Sequence, residues 1–260
     1  MQTVFGQELS ENFSGHGNIL NLLAARLKQN GWRKIGAVLL LTIFGCFGWQ
    51  MVKADSIVGT ITTGAGPNSV AVNPNTNKIY VGNRNAASVT VIDGTNNSTN
   101  TVLVGTSPQF IAVNATTNKI YVANQDSASV TVIDGATNTT ATVPVGTNPN
   151  WLAVNPVTNK IYVASFVSNN VTVIDGANNS TVTVAVGSNP RAVAVNSVTN
   201  KIYVTNNGSG SVSVIDGANN TTATVSVGVN PAVVAVNPAT NKIYVTNTAD
   251  NTVTVRLLLV

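Results

Sequence analysis

Short apolar runs, broken by turns rich in Asn, Thr and Gly, recur at a fixed spacing along residues 56–260. Residues 106–146 hold one full cycle. Phe110-Ile111-Ala112-Val113 forms an apolar run (strand A), and Asn114-Ala115-Thr116-Thr117-Asn118 supplies turn chemistry. Lys119-Ile120-Tyr121-Val122 follows as strand B, then a polar loop from Asn124 to Ser129. Val130-Thr131-Val132-Ile133 is strand C, and Asp134-Gly135 opens a second turn of the kind that joins hairpin strands. Thr142-Val143-Pro144-Val145-Gly146 is strand D, where an edge position tolerates the donor missing from Pro144. Apolar side chains point both ways, Ile120 and Val122 to one face and Tyr121 to the other. A sheet covered on both faces needs that pattern.

The cycle repeats. N-K-I-Y-V places its tyrosine at Tyr80, Tyr121, Tyr162, Tyr203 and Tyr244, each 41 residues after the last. A fixed period of this size marks stacked supersecondary units. Four short antiparallel strands per ~40 residues is the make-up of a β-propeller blade. The expected fold is therefore all-β, a β-propeller of 41-residue, four-stranded blades. The ends suggest how it closes. Val58 to Gly64 aligns with strand D, whereas the last copy supplies A, B and C, ending in Thr252-Val253-Thr254-Val255. One D from the N-terminus and three strands from the C-terminus make a fifth blade, so five blades closed by the N-terminal strand are expected. The tail Arg256-Leu257-Leu258-Leu259-Val260 departs from the I-D-G of the other copies, with Leu257 where Asp216 predicts aspartate. A fragment of a larger ring stays open on that ground.

Residues 1–54 lie outside the period and read as a helical leader, with 55–260 the propeller domain. Ile35 to Trp49 is a 15-residue run without charge, preceded by Arg33 and Lys34. Val52-Lys53-Ala54 suits signal-peptidase cleavage before Asp55. A retained anchor over 35–52 is the alternative, short of the ~20 residues a span prefers. The basic flank places the repeats outside under either reading. The expected location is thus extracytoplasmic: secreted, periplasmic or cell-surface.

Composition narrows the function. The net charge of +4 is concentrated in the leader, which carries five basic residues against two acids. Residues 55–260 carry eight basic residues against seven acids, without the Lys/Arg cluster a nucleic-acid surface needs. The one cysteine, Cys46, and the one histidine, His16, both precede the repeats. The array therefore lacks the groups of the usual catalytic triads and His-ligated metal sites.

Tyr203-Val204-Thr205-Asn206 and Tyr244-Val245-Thr246-Asn247 spell the motif that names the YVTN β-propeller repeat family. With N-K-I-Y-V, V-I-D-G and the V-G-x-x-P junction, residues 56–260 resemble that family throughout. The resemblance implies a propeller in a bacterial or archaeal extracytoplasmic or surface-layer protein. Relatives often have seven blades, so five is a departure. The resemblance implies no catalytic residues.

The copies differ on one side only. The A–B and C–D turns, which share one face of a blade array, are nearly identical in each copy. The B–C loops read NRNAAS, NQDSAS, SFVSNN, NNGSGS and NTADNT, and the D–A loops vary after their proline. Binding residues sit on loops held by a rigid scaffold. The candidate contact face is Arg84, Phe110, Gln125, Asp126, Trp151, Phe166 and Arg191; against it stands neutral drift, with Phe110 and Trp151 as packing over a central channel. The repeated Asp93, Asp134, Asp175 and Asp216 do not match a calcium loop. They are expected to accept turn hydrogen bonds or to face Lys78, Lys119, Lys160 and Lys201. No catalytic, cofactor or metal residue is assigned. The expected role is a non-enzymatic, exported interaction or scaffold module. Its partner would be an envelope or surface protein or a polysaccharide, its membrane contact only the leader, its state monomeric. A lectin-like propeller is the alternative, and a lactonase-like hydrolase a weaker one.

Overall fold

A computed structural model describes residues 59–257. The chain divides into two units, residues 1–59 and 60–260, and the second contains all the repeats. The leader expectations (the apolar run 35–52, the cleavage site, Cys46, His16 and the helical character) fall outside the described residues. Among the described residues no helix is long and apolar enough to cross a membrane.

The second unit is all-β. Its first sheet is β1 (Pro67–Asn73), β2 (Lys78–Asn83), β3 (Ser88–Asp93) and β4 (Thr99–Leu103). The second is β5 (Pro108–Asn114), β6 (Lys119–Asn124), β7 (Ser129–Asp134) and β8 (Thr140–Pro144). The third is β9 (Pro149–Asn155), β10 (Lys160–Ser165), β11 (Asn170–Asp175) and β12 (Thr181–Ala185). The fourth is β13 (Pro190–Asn196), β14 (Lys201–Asn206), β15 (Ser211–Asp216) and β16 (Thr222–Ser226). The fifth has three strands, β17 (Pro231–Asn237), β18 (Lys242–Asn247) and β19 (Thr252–Leu257). Neighbours pair antiparallel in the order A-B-C-D, and the register repeats: Tyr80 faces Val91, Tyr121 faces Val132, Tyr162 faces Val173.

Blades pack through one seam, used four times. Tyr80, Val89, Val91 and Val102 of the first blade meet Ile111, Ile120, Val122 and Ile133 of the second. Tyr121 and its neighbours meet Leu152, Ile161, Val163 and Ile174; Tyr162 and its neighbours meet Val193, Ile202, Val204 and Ile215. Tyr203 and Val212 meet Val234, Ile243 and Val245. Alternation along each strand sends Ile and Val to the preceding blade and Tyr to the following one. Each of these four tyrosines is 0% exposed.

Polar bonds reinforce the seam. At the end of strand A, Asn73 Nδ2 donates to Asn118 Oδ1 of the next blade at 2.8 Å. Asn114 to Asn159, Asn155 to Asn200 and Asn196 to Asn241 repeat this bond at 2.9–3.1 Å. The acceptors sit in the left-handed region, φ 50–53°. Asparagine tolerates that region better than most residues.

Two expectations need correction. The outer strand runs Thr140–Pro144, two residues earlier than the pattern predicts, and Gly146 is not in it. Val145 N still donates to Ala128 O of its own blade, but Gly146 N donates to Thr172 Oγ1 of the next, so the backbone leaves the sheet there. The D-G turn joins β7 to β8 as an antiparallel hairpin, as its signal implies. Its left-handed residue is Asn138, φ 60°, and Gly135 is needed for close approach: a Cβ there would lie 2.3 Å from Asn118 Oδ1 and 2.9 Å from Asn118 O. The expected N-terminal clasp is not formed. Among the described residues, 59–63 belong to no strand and the fifth sheet stops at β19.

Candidate functional site

The two faces of the array are built differently. On the constant face, the A–B and C–D turns bond to each other: Gly135 N donates to Asn118 O at 2.9 Å, and Gly94, Gly176 and Gly217 repeat the bond. Each C–D aspartate holds its own turn. Asp134 Oδ1 accepts from Ala136 N and Thr137 N, and Oδ2 from Lys119 Nζ at 2.8 Å. Asp216 does the same with Ala218 N and Lys201 Nζ; Asp93 accepts from Thr95, and Asp175 from Ala177 N. Lys78 and Lys160 instead reach the carbonyls of Gly135 and Gly217 in the following blade. The Lys119 hydrogen bond and the two turn amides hold the Asp134 carboxyl down at about 2. Asp216 is lowered mainly by Lys201, and Asp93 mainly by the Thr95 hydroxyl. Both roles expected of these aspartates are present.

On the other face the B–C loop of each blade is pinned to the junction that enters it. Arg84 N donates to Gly66 O, Gln125 N to Ser107 O, Phe166 N to Asn148 O and Asn207 N to Asn189 O. The loop backbone is thus held alike in every blade while the side chains differ.

The structure brings several candidates together. Phe110 on β5 and Trp151 on β9 stack with ring centroids 4.2 Å apart and planes at 25°. Both are half-buried. Phe110 packs on the core between the second and third blades, whereas Trp151 packs on the cores of the next two seams. Trp151 therefore carries structure as well as surface, as the packing alternative expects. Arg84 Nη2 donates to Gln125 Oε1 at 3.0 Å, and Gln125 Nε2 donates to Asn148 Oδ1 at 3.1 Å. Asp126 accepts a hydrogen bond from Ser107 Oγ. Phe166 is half-buried, and its carbonyl accepts from Asn189 Nδ2 at 3.4 Å. Arg191 is exposed on β13 and has no hydrogen-bond or ion-pair partner among the described residues.

Two contributors escape a reading by residue type. Asn148 links Gln125, through its side chain, to Phe166, through its carbonyl. Asn68 Nδ2 donates to Gln109 O at 3.1 Å and to its Oε1 at 3.3 Å, tying the first blade to the second beside Phe110. Both asparagines adjoin the junction proline, the one signal that could have marked them. Among the described residues no three His, Cys, Asp or Glu side chains gather as a metal site.

No protein-family model matches the chain, and no curated protein does. Solved structures do. One is the Kuenenia stuttgartiensis hydrazine synthase, 26% identical, with a TM-score of 0.62 over 74% of this chain. The match covers 59% of that protein's chain, so this chain spans little more than half its length. A functionally unknown protein from Desulfotomaculum acetoxidans DSM 771 matches at 13% identity and a TM-score of 0.61, over 75% of this chain and 70% of its own. These likenesses agree with a repeated, propeller-like β architecture.

Proposed function

We propose that this chain is an exported, non-enzymatic interaction and scaffold module of the YVTN propeller type, which meets its partner through the face of variable loops. One observation carries the proposal: the variable loops share a fixed backbone frame but present different side chains. The constant face spends its polar groups on its own turns. The loop face presents the Phe110–Trp151 stack, the Arg84–Gln125 pair and the unpartnered Arg191 guanidinium. Aromatic and arginine side chains are the residue types that dominate contact energy in interfaces. The partner is an envelope protein or surface polysaccharide, and the location is extracytoplasmic, as the leader pattern implies.

The finer architecture belongs to the same proposal. Residues 60–62 carry the outer-strand pattern, with Ile61 at the position of the buried Val102, Val143 and Val184. They supply the missing outer strand of a fifth blade.

Envelope fractions passed over the immobilised protein test the function. Arg84→Ala, Phe166→Ala and Arg191→Ala together are expected to lower capture at least tenfold while the thermal midpoint stays within a few degrees. Capture unchanged by the triple variant would remove the loop face from the account.

A further inference from the structure

Among the described residues the fifth sheet has three strands, and its open surface has a defined shape. Its edge strand β19 lacks the outer partner that β4, β8, β12 and β16 give the other four sheets. Its Tyr244 is 38% exposed and its Val253 55%, where the equivalent tyrosines are 0% exposed. At the opposite end of the array, Val70 is 66% exposed, whereas its equivalents Ile111, Leu152, Val193 and Val234 are buried. These two open surfaces are the two halves of the seam that already forms four times between successive blades. Each is therefore complementary to the other in shape and polarity.

Polar groups at the two ends are open in the same sense. Asn237 occupies the position from which four asparagines donate to the next blade, and its Nδ2 makes no such bond among the described residues. Asn77, the matching acceptor on the first blade, receives none. Lys242 has Leu257 opposite it, where Lys119 has Asp134, and its Nζ has no partner among the described residues. The carbonyl of Gly94 is the counterpart of the Gly135 and Gly217 carbonyls that Lys78 and Lys160 reach across a seam.

The entry to the first blade is prepared for a preceding blade. Gly64 N donates to Thr90 Oγ1 at 3.3 Å, as Gly105 N does to Thr131 and Gly146 N to Thr172 at 3.4 Å. Arg84 N and Asn85 N donate to Gly66 O and Ala65 O, as Gln125 N and Asp126 N do to Ser107 O and Thr106 O. Residues 64–66 thus hold the geometry of an inter-blade junction, and residues 60–62 lead from it to where a preceding blade's outer strand belongs.

The innermost strands say which molecule that preceding blade comes from. β1 packs on β5, β5 on β9, β9 on β13 and β13 on β17, but β17 does not pack in this way on β1. We infer that a second copy of this chain covers the fifth blade, laying its residues 60–62 along β19 and its first blade against Tyr244, Val253 and Val255. The interface is head-to-tail, so it closes if the second copy returns the contact and otherwise extends into a chain of copies. The inference rests on the proposal that residues 60–62 complete the fifth blade and names the copy that provides them.

The register of the other blades fixes the test. Val89 lies opposite Val102 and Val130 opposite Val143, which places Ile61 opposite Val253. Full-length protein carrying Cys46→Ala, Ile61→Cys and Val253→Cys is oxidised mildly and run on a non-reducing gel. Both new cysteines replace exposed side chains, and neither change creates a cavity. The expected product is a disulfide between chains, seen as dimer or longer species, which Tyr244→Asp reduces at least tenfold. A disulfide within one chain would overturn the second copy while keeping the fifth-blade assignment. No disulfide in either form would overturn both.

Discussion

Replacing Tyr162 by alanine is expected to destabilise the array by about 3–5 kcal/mol, the range for removing a fully buried aromatic side chain. Tyr162 sits at the seam of the third and fourth blades, among Val171, Val173, Val184, Ile202 and Ile215. All of those neighbours except Val184, on the outer strand β12, belong to strands paired on both sides, so the seam collapses little around the gap. The cost is then transfer plus cavity. Each blade buries its two faces only against its neighbours, so loss of one seam loosens two blades at once. The measurement is the urea midpoint of the variant. Tyr244→Ala, at the open end, is expected to cost well under half as much in dilute solution, because that ring keeps much of its surface in water. Equal losses at the two positions would mean the fifth blade is covered even when the chain is dilute.

The second large effect is alkaline. Burial pushes the phenols of Tyr121, Tyr162 and Tyr203 up to about 12 and raises that of Tyr80, with Asp175, Asp216 and Asp134 of the following blades adding to the first, second and last of these. The hydroxyls of Tyr80, Tyr121 and Tyr162 have no hydrogen-bond partner that would favour their ionisation, and for Tyr203 burial outweighs the lowering effect of Thr199. The unfolded chain releases these protons near the ordinary value of 10, whereas the folded chain holds them to higher pH. Stability contributed by the neutral phenols is complete below pH 10 and falls as pH rises towards 12. Absorbance of phenolate at 295 nm is expected to rise together with loss of β-sheet circular dichroism. Tyr162→Phe is expected to flatten the fall, because it removes one ionisable group from the seam while keeping the ring. In a Tyr244→Phe background, phenolate appearing near pH 10 with the sheet signal intact would contradict the burial of these rings.

Much of this architecture was legible in the sequence because its signals repeat at a single period. The tyrosines, the alternation in strands B and C, and the division into constant and variable loops all recur every 41 residues. The asparagine seam was not legible. Asn73 bonds Asn118, 45 residues on, from one type of position to another, and in so Asn-rich a chain the two look like background. Gly135 was read only as part of a turn signal, whereas its role is to let the backbone of Asn118 come close. The outer strand ended earlier than its apolar pattern because Gly146 turns to bond Thr172 of the next blade, while Val145 still bonds Ala128 of its own. The fifth blade shows the sharpest limit. Alternation identified residues near Ile61 as strand-forming, but an edge strand's partner is a fact of space, not of local sequence. On the loop face, residue type picked out Phe110 and Trp151, and only the coordinates reveal that their rings stack on each other and that Trp151 also serves the cores of two further seams.

The division of labour between the two faces is tested most directly by hydrogen exchange on the protein bound to the envelope material it captures. The account predicts added protection at the variable loops, in peptides covering residues 84–87, 125–128 and 166–169 and the strand starts at 109–110 and 150–151. It predicts no change at the A–B and C–D turns, residues 115–118 and 135–139. Protection that falls on those turns and spares the loops would contradict it.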